Sequence, residues 1–284
     1  MSPVPDKVKS IVTDPQSPIS SIEEARKVEE RVAIPAKIVY EAIRLEGEDE
    51  LERPVAALAW SGLAAGLSMG FSLLAEAVLH AYLPASHWSP LLSRFGYCTG
   101  FLIVVLGRQQ LFTENTLTVV LPFLVHKDLA TLRKVFRLWS TVLSANIFGT
   151  FLFALAVARI PFLDPAVQLS MLEVSQPHVG LGFAATFLRA IFSGWLIALM
   201  VWMLPDAATS RVFVIVALTY LIAIADLTHI VAGSANVFFL VVVGKLPFLS
   251  YFTSFFFPTL LGNVLGGVSL VSALAHGQVA AGKK

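Results

Sequence analysis

The stretch Tyr97–Val125 reads YCTGFLIVVLG, then RQQLFTEN, then TLTVVLPFLV: apolar at both ends and polar in the middle. About 116 residues later, Val212–Val243 does the same, as VFVIVALTYLIAIA, DLTH and IVAGSANVFFLVVV. One helix needs about 20 apolar residues to cross a bilayer core. Each apolar half is too short alone, and each pair of halves is long enough. The polar centres carry Arg108, Glu114 and Asn115 in one case and Asp226, Thr228 and His229 in the other. Irregular polar backbone at membrane depth is tolerated only where protein buries it or where it lines a wet cavity. Two interrupted spans in corresponding places of two halves point to a transport site.

The rest of the chain agrees. It is 56% hydrophobic and 14% charged, which excludes a soluble globular or disordered protein and indicates a polytopic membrane protein. Of 19 acidic residues, 12 precede residue 53. Residues 1–53 therefore read as a soluble amino-terminal tail, 54–276 as a six-span channel domain and 277–284 as a short carboxyl tail. No basic-then-apolar leader is visible in the first 50 residues. The single cysteine, Cys98, lies in an apolar run and reads as packing. A net charge of +1 gives no reason to expect nucleic acid as a partner.

Prolines 3, 5, 15 and 18 mark residues 1–20 as disordered. Ser21 and Glu24 form a candidate capping box. Ile22, Ala25, Val28 and Val32 then recur at helical spacing, Pro35 interrupts, and a short helix is expected over Ala36–Leu45. This amphipathic segment is placed on the inner side of the membrane. Six apolar spans follow, over about 55–83, 97–125, 136–158, 181–203, 212–243 and 250–275. With the amino end inside, the inner segments hold 15 Lys and Arg, Arg31, Lys283 and Lys284 among them, and the outer loops hold three: Arg94, Arg159 and Lys245. The positive-inside rule then puts both termini in the cytoplasm. Trp88, Trp139 and Trp202 sit near span ends, as interfacial aromatics do.

The chain also repeats itself. Span 3 contains Ala145-Asn146-Ile147-Phe148-Gly149, and span 6 contains Gly262-Asn263-Val264-Leu265-Gly266. Thr113 to His229 is 116 residues and Asn146 to Asn263 is 117. Two halves of three spans each must enter the membrane from opposite sides, so the repeat is inverted. Gly62, Gly66 and Gly70 form a small-residue ridge on span 1, with Gly262, Gly266 and Gly267 on span 6, for close helix packing.

His229 is the first candidate for function. Ionisable side chains inside a membrane are rare and mostly functional, and an imidazole exchanges protons near neutral pH. Thr113 takes the matching place in the other half, as a hydroxyl for a passing solute or as a cap on the second half-helix. Leu111 and Phe112 beside it would form a hydrophobic collar, which stops hydrated ions and passes neutral molecules. Arg108 with Glu114, and Asp226 with a backbone or hydroxyl partner, read as structural pairs. Glu76 and Arg189 read as snorkelling side chains near span ends. Asn146 and Asn263 are placed to pin the two broken loops, and Asn263 to fix the tautomer of His229. No metal-ligand spacing, phosphate loop or nucleophile elbow is present, so no metal, cofactor or enzymatic activity is expected.

With these residues assembled, the chain resembles the formate/nitrite transporter family over about residues 54–276. The matches are Leu111-Phe112-Thr113, Asn146-x-x-Gly149, His229 and Pro258-x-x-x-Gly262-Asn263-x-x-Gly266-Gly267. In wording such as Phe112-Thr113-Glu114-Asn115 and Thr228-His229-Ile230-Val231-Ala232-Gly233 it looks most like that family's YfdC-like branch. The resemblance implies an aquaporin-like all-α fold, a homopentamer in lipid and one pore per protomer. It implies an inner constriction of Phe101, Leu111 and Phe112, with Tyr97 and Ile222 toward the outside. There are departures. His178 stands where the family usually has an anion-attracting lysine. Gly194 replaces an asparagine of span 4, Thr228 replaces the acidic residue before the histidine, and the histidine-to-asparagine spacing lengthens to His229…Asn236. The function expected is a channel or proton-coupled transporter for small monovalent weak-acid anions, or their neutral acids, in a bacterial inner membrane. A neutral-solute pore and a non-transporting membrane scaffold or sensor are the alternatives.

Overall fold

The structure, a computed structural model, describes residues 4–29, 34–160, 162–272 and residue 277. Arg31, Val32, Lys283, Lys284 and the end of span 6 lie outside the described residues, as does most of the carboxyl tail. Every regular element among the described residues is helical. Five helical stretches are long and apolar enough to cross a bilayer: Val55–Tyr82, Ser89–Leu106, Leu129–Arg159, Phe183–Met203 and Phe248–Ser269. The shorter apolar helices Asn115–His126, Ala208–Ile224 and Ile230–Val242 accompany them.

Three helices precede the first span: α1 (Asp6–Thr13), α2 (Ile22–Glu29) and α3 (Ala36–Glu52). The disorder expected before residue 20 is not what is seen, because α1 has an apolar side and buries Val8 completely. Ser21 caps α2 through Oγ, which accepts the Glu24 N–H at 3.2 Å. The return bond from Glu24 reaches Ser20 N rather than Ser21 N. Helix α3 runs seven residues past the expected Leu45. Its acidic end, which falls past the expected helix end in the soluble tail, is docked. Glu48 meets His126 at 3.0 Å, Glu52 pairs with Lys134, and Arg137 donates to the carbonyls of Leu51 and Arg53. Gly47 makes this possible, since a Cβ there would collide with the Thr118 carbonyl and touch Pro122.

Span 1 is α4 (Val55–Tyr82) and span 3 is the unbroken α9 (Leu129–Arg159). They pack through their glycines: a Cβ on Gly149 would sit 2.7 Å from the Leu63 carbonyl oxygen, and one on Gly66 2.9 Å from the Asn146 carbonyl carbon. Helix α9 starts seven residues before the expected 136 because Asp128 caps it, accepting the Thr131 N–H at 2.8 Å. Span 4 is α11 (Phe183–Met203). Span 6 is α14 (Phe248–Ser250), a π-helical stretch at Tyr251–Phe256, α15 (Phe257–Leu265) and a second π-helical stretch from Gly266. Pro258 cannot donate to the preceding turn, and widening the helix ahead of it relieves the clash of its ring. Like α1, helix α10 (Pro165–Ser175), between spans 3 and 4, is not announced by the sequence reading. It opens on an Asp164 cap and Pro165, buries Val167, Met171 and Val174, and packs on α4 and on the helix Ile230–Val242.

Spans 2 and 5 are each two helices with a gap. In span 2, α5 (Ser89–Ser93), a 3-10 turn and α6 (Cys98–Leu106) precede the gap, and α7 (Asn115–Thr118) and α8 (Val120–His126) follow it. In span 5, α12 (Arg211–Ile224) precedes the gap and α13 (Ile230–Val242) follows it. The first half of span 2 starts at Ser89, earlier than its apolar run. Cys98 is buried there, its Sγ facing the Val216 carbonyl at 3.7 Å.

Candidate functional site at the two helix breaks

The two gaps are copies of one backbone path. After α6, the Arg108 N–H donates to Val105 O at 3.2 Å and the Gln109 N–H to Val104 O at 3.0 Å. After α12, the Asp226 N–H donates to Ala223 O at 3.2 Å and the Leu227 N–H to Ile222 O at 3.0 Å. Both are Schellman turns, which satisfy the last helical carbonyls through one left-handed residue. That residue has φ 50° at Arg108 and φ 49° at Asp226, where glycine would be the unstrained choice. Strain of about 1–3 kcal/mol at such a residue persists only where the surroundings over-determine the backbone.

The surroundings here are two asparagines. Asn146 of α9 accepts the Phe112 N–H at 2.9 Å and donates to the carbonyls of Gln110 (2.9 Å) and Gly62 (2.7 Å). Asn263 of α15 accepts the Ile230 N–H at 2.8 Å and donates to the carbonyls of Thr228 (3.0 Å) and Ala190 (2.8 Å). Each amide thus replaces, for one loop, the backbone partners that a continuous helix would have supplied. Gly194 packs on Asn263 as Gly66 packs on Asn146, and a Cβ at Gly194 would lie 2.7 Å from Asn263 Cα.

The pins fix the register of the repeat. Gln110 pairs with Thr228 (228 − 110 = 118), Phe112 with Ile230 and Arg108 with Asp226, all by 118. The residue bracketed by each pin is therefore Leu111 in one half and His229 in the other. Thr113 is not the positional twin of His229, as its 116-residue separation suggests. It arrives at the same place because the first loop runs on through Thr113 and Glu114 before α7 begins, whereas α13 begins at once.

There Thr113 Oγ1 and His229 Nε2 lie 2.7 Å apart, both fully buried. His229 Nδ1 accepts the Ala232 N–H at 3.1 Å, capping α13. The neutral ring therefore carries its hydrogen on Nε2, directed at Thr113 Oγ1. Ala232, not Asn263, sets the tautomer. The Phe101 ring stands edge-on to the imidazole at 5.1 Å, and Leu111 and Phe101 are fully buried beside it. Phe112 turns its ring edge-on to Trp139 of α9 at 5.8 Å.

A cavity approaches this layer from either face. On the face bearing the tail, one of about 340 Å³ reaches Leu111 and is lined by Glu46, Glu50, Arg53, Arg108, Glu114 and Arg211. On the opposite face a cavity of about 10 Å³, room for a single water, is lined by Arg94, Tyr97, His178, Ile222, Asp226 and Thr228. Thr228 Oγ1 donates to the Thr186 carbonyl at 2.9 Å, and Asn236 joins α13 to α10 by accepting from Ser175 Oγ at 3.2 Å.

Two expected pairings and two expected side-chain placements differ. Asp226 pairs with Arg94 at 2.7 Å, not with a backbone or hydroxyl group, and Arg94 also holds Glu76 at 2.9 Å. Glu76 is buried in that pair rather than snorkelling, and Arg189 donates to the Asp226 carbonyl at 3.2 Å. No ion pair joins Arg108 to Glu114 among the described residues. Arg94 and Asp226 are 132 residues apart, and no local pattern announces them.

Comparison with known proteins agrees with this fold. Residues 37–277 match the family model described as formate/nitrite transporter. The inner membrane protein YfdC of Escherichia coli (strain K12) is 41% identical over 251 residues, covering 88% of this chain and 81% of that protein. Two solved structures share the fold at low identity. A pentameric formate channel with formate bound has a TM-score of 0.69 at 19% identity, over 80% of this chain and 98% of that one. An FNT family ion channel has a TM-score of 0.63 at 18% identity, over 86% and 96%. The chain belongs to the formate/nitrite transporter family.

Proposed function

We propose that the chain forms a channel or proton-coupled transporter for small monovalent weak-acid anions, of which formate and nitrite are the models, in a bacterial inner membrane. The observation that carries this is the Thr113–His229 contact, buried between two cavities and backed by Phe101 and Leu111. A net charge in a dry layer costs far more than a neutral acid does. The anion gathers at the face opposite the tail, where His178 lines the small cavity and attracts anions when protonated. It gains a proton, directly or by way of His229 and water, passes the layer as the neutral acid and ionises again. His229 Nε2–H is directed at Thr113, which leaves the threonine's own hydroxyl hydrogen free to meet the solute. Tyr97 and Ile222 narrow the path on one side, and Leu111 and Phe101 on the other. The formate channel that shares this fold is pentameric, and a homopentamer with one pore per protomer is the assembly we propose. Both termini are then cytoplasmic, in accord with the distribution of Lys and Arg. The test is formate flux into proteoliposomes across a range of pH, for wild type and His229→Ala. The variant is expected to change both rate and pH profile; an unchanged profile removes His229 from the proton path.

A further inference from the structure

Glu114 is a carboxyl that the reading above leaves without a task. It follows Thr113 directly, and its backbone is fixed: the Glu114 carbonyl accepts the Leu117 and Thr118 N–H groups and Thr118 Oγ1. Its side chain lines the tail-face cavity of about 340 Å³, on the far side of the Thr113–His229 layer from His178. Its Oε1 is buried with no hydrogen-bond partner among the described residues, and so is Oε1 of Gln109 in the same cavity wall. The charged groups that share the cavity do not occupy it. Arg53 holds both oxygens of Glu50 at 3.0–3.1 Å. Arg211 donates to the Leu204 carbonyl at 3.4 Å, the Arg108 side chain is exposed, and Glu46 adds a second carboxylate. A carboxyl in the wall of a cavity at the exit of a dry layer, with no hydrogen-bond partner for its buried oxygen among the described residues, is placed to take or give a proton.

We propose that Glu114 is the proton-exchange group on the tail side, a role that rests on the weak-acid reading above. The neutral acid leaving the layer gives its proton to the Glu114 carboxylate, so the solute's O–H bond breaks as the carboxyl O–H forms and the anion departs into the cavity. The carboxylic acid then loses the proton to cavity water. Inward and outward passage use the same steps in opposite order.

The test is formate flux in proteoliposomes of the full-length protein, against tail-side pH, for wild type, Glu114→Gln and Glu114→Asp. Glu114→Gln is expected to lower flux about tenfold, since water in the cavity replaces only part of a positioned base, and to flatten the tail-side pH dependence. Glu114→Asp is expected to keep that dependence. Raising the concentration of imidazole buffer on the tail side is expected to restore flux in Glu114→Gln, which a purely structural role does not allow. If Glu114→Gln does not assemble, Glu114→Ser is read in the same way. Unchanged or increased flux, or a lowered flux that buffer does not restore, overturns the assignment. If wild type moves no formate at all, the weak-acid reading fails and takes this role with it, a result distinct from a normal wild type beside an indifferent variant.

Discussion

Replacing Asn263 with alanine removes one acceptor and one donor from the span-5 gap, and a second donor that ties the amide to α11. The Ile230 N–H and the Thr228 carbonyl are left without that partner, while the Ala190 carbonyl keeps its place in the ladder of α11. Side-chain hydrogen bonds between membrane helices average about 0.6 kcal/mol, because the unfolded chain in a bilayer also finds partners; three of them set a floor of about 2 kcal/mol. A buried group left unsatisfied costs about 1–3 kcal/mol, and two such groups set a ceiling of about 6 kcal/mol. The Schellman turn fixes the backbone on one side of the loop and α13 on the other, so relaxation is limited and about 3–5 kcal/mol is expected. Asn146→Ala breaks the same three kinds of bond, to Phe112, Gln110 and Gly62, and should cost the same within about 1 kcal/mol. The assay is reversible unfolding of the purified protein in mixed micelles, with Asn263→Leu as a third variant. Leucine refills the volume and restores no hydrogen bond, so it separates the polar loss from the cavity. A cost below about 1 kcal/mol for Asn263→Ala, or full recovery with leucine, would refute the view that the amide holds the break open.

Restoring the family asparagine by Gly194→Asn should not improve the protein. Its Cβ would lie 2.7 Å from Asn263 Cα, so α11 and α15 must separate, and yield of folded protein in detergent should fall sharply. Two acids on α3 should respond to pH in opposite senses. The hydrogen bond from Lys134 holds the Glu52 carboxyl below its usual range, so its contribution to docking is present above a pH of about 4.3 and is lost as pH falls through the lowered value. Burial raises Glu50, against the pull of Arg53, so its contribution is full at acid pH and is lost as pH rises. Thermal unfolding at neutral pH should therefore show Glu52→Gln less stable than wild type and Glu50→Gln no less stable, with the Glu52→Gln deficit vanishing in acid. A Glu52→Gln deficit that grows in acid would contradict this.

Much of the architecture was legible because a bilayer makes polar interruptions conspicuous. Arg108, Glu114, Asp226 and His229 within apolar runs located the gaps, and the two Asn-x-x-Gly motifs located their pins. The register was misread by two residues because Thr113 and His229 share a chemistry, while the backbone equivalence pairs Leu111 with His229, two side chains that look unrelated. The signal that would find it is the positive φ at Arg108 and Asp226, a conformation that aspartate marks only weakly and arginine not at all. Helix α10 was passed over although Asp164-Pro165 is a proper start, because its moderate apolar content fits a loop as well as a short packed helix. The acidic run Glu46–Glu52 falls past the expected helix end in the soluble tail; its Lys134 and His126 partners, about 80 residues away, show that it docks. The Arg94 pairs with Glu76 and Asp226 were invisible for the same reason, since tertiary proximity makes them and spacing does not.

The claim that supports the rest is that the buried Thr113–His229 layer rejects charge and admits the neutral acid. It is tested most directly by the flux of formate and chloride through the same wild-type proteoliposomes. A charge at the centre of a membrane helix costs about 3 kcal/mol on insertion scales, so formate should outpace chloride at least a hundredfold, or about 10². Chloride crossing at a rate comparable to formate would contradict the account.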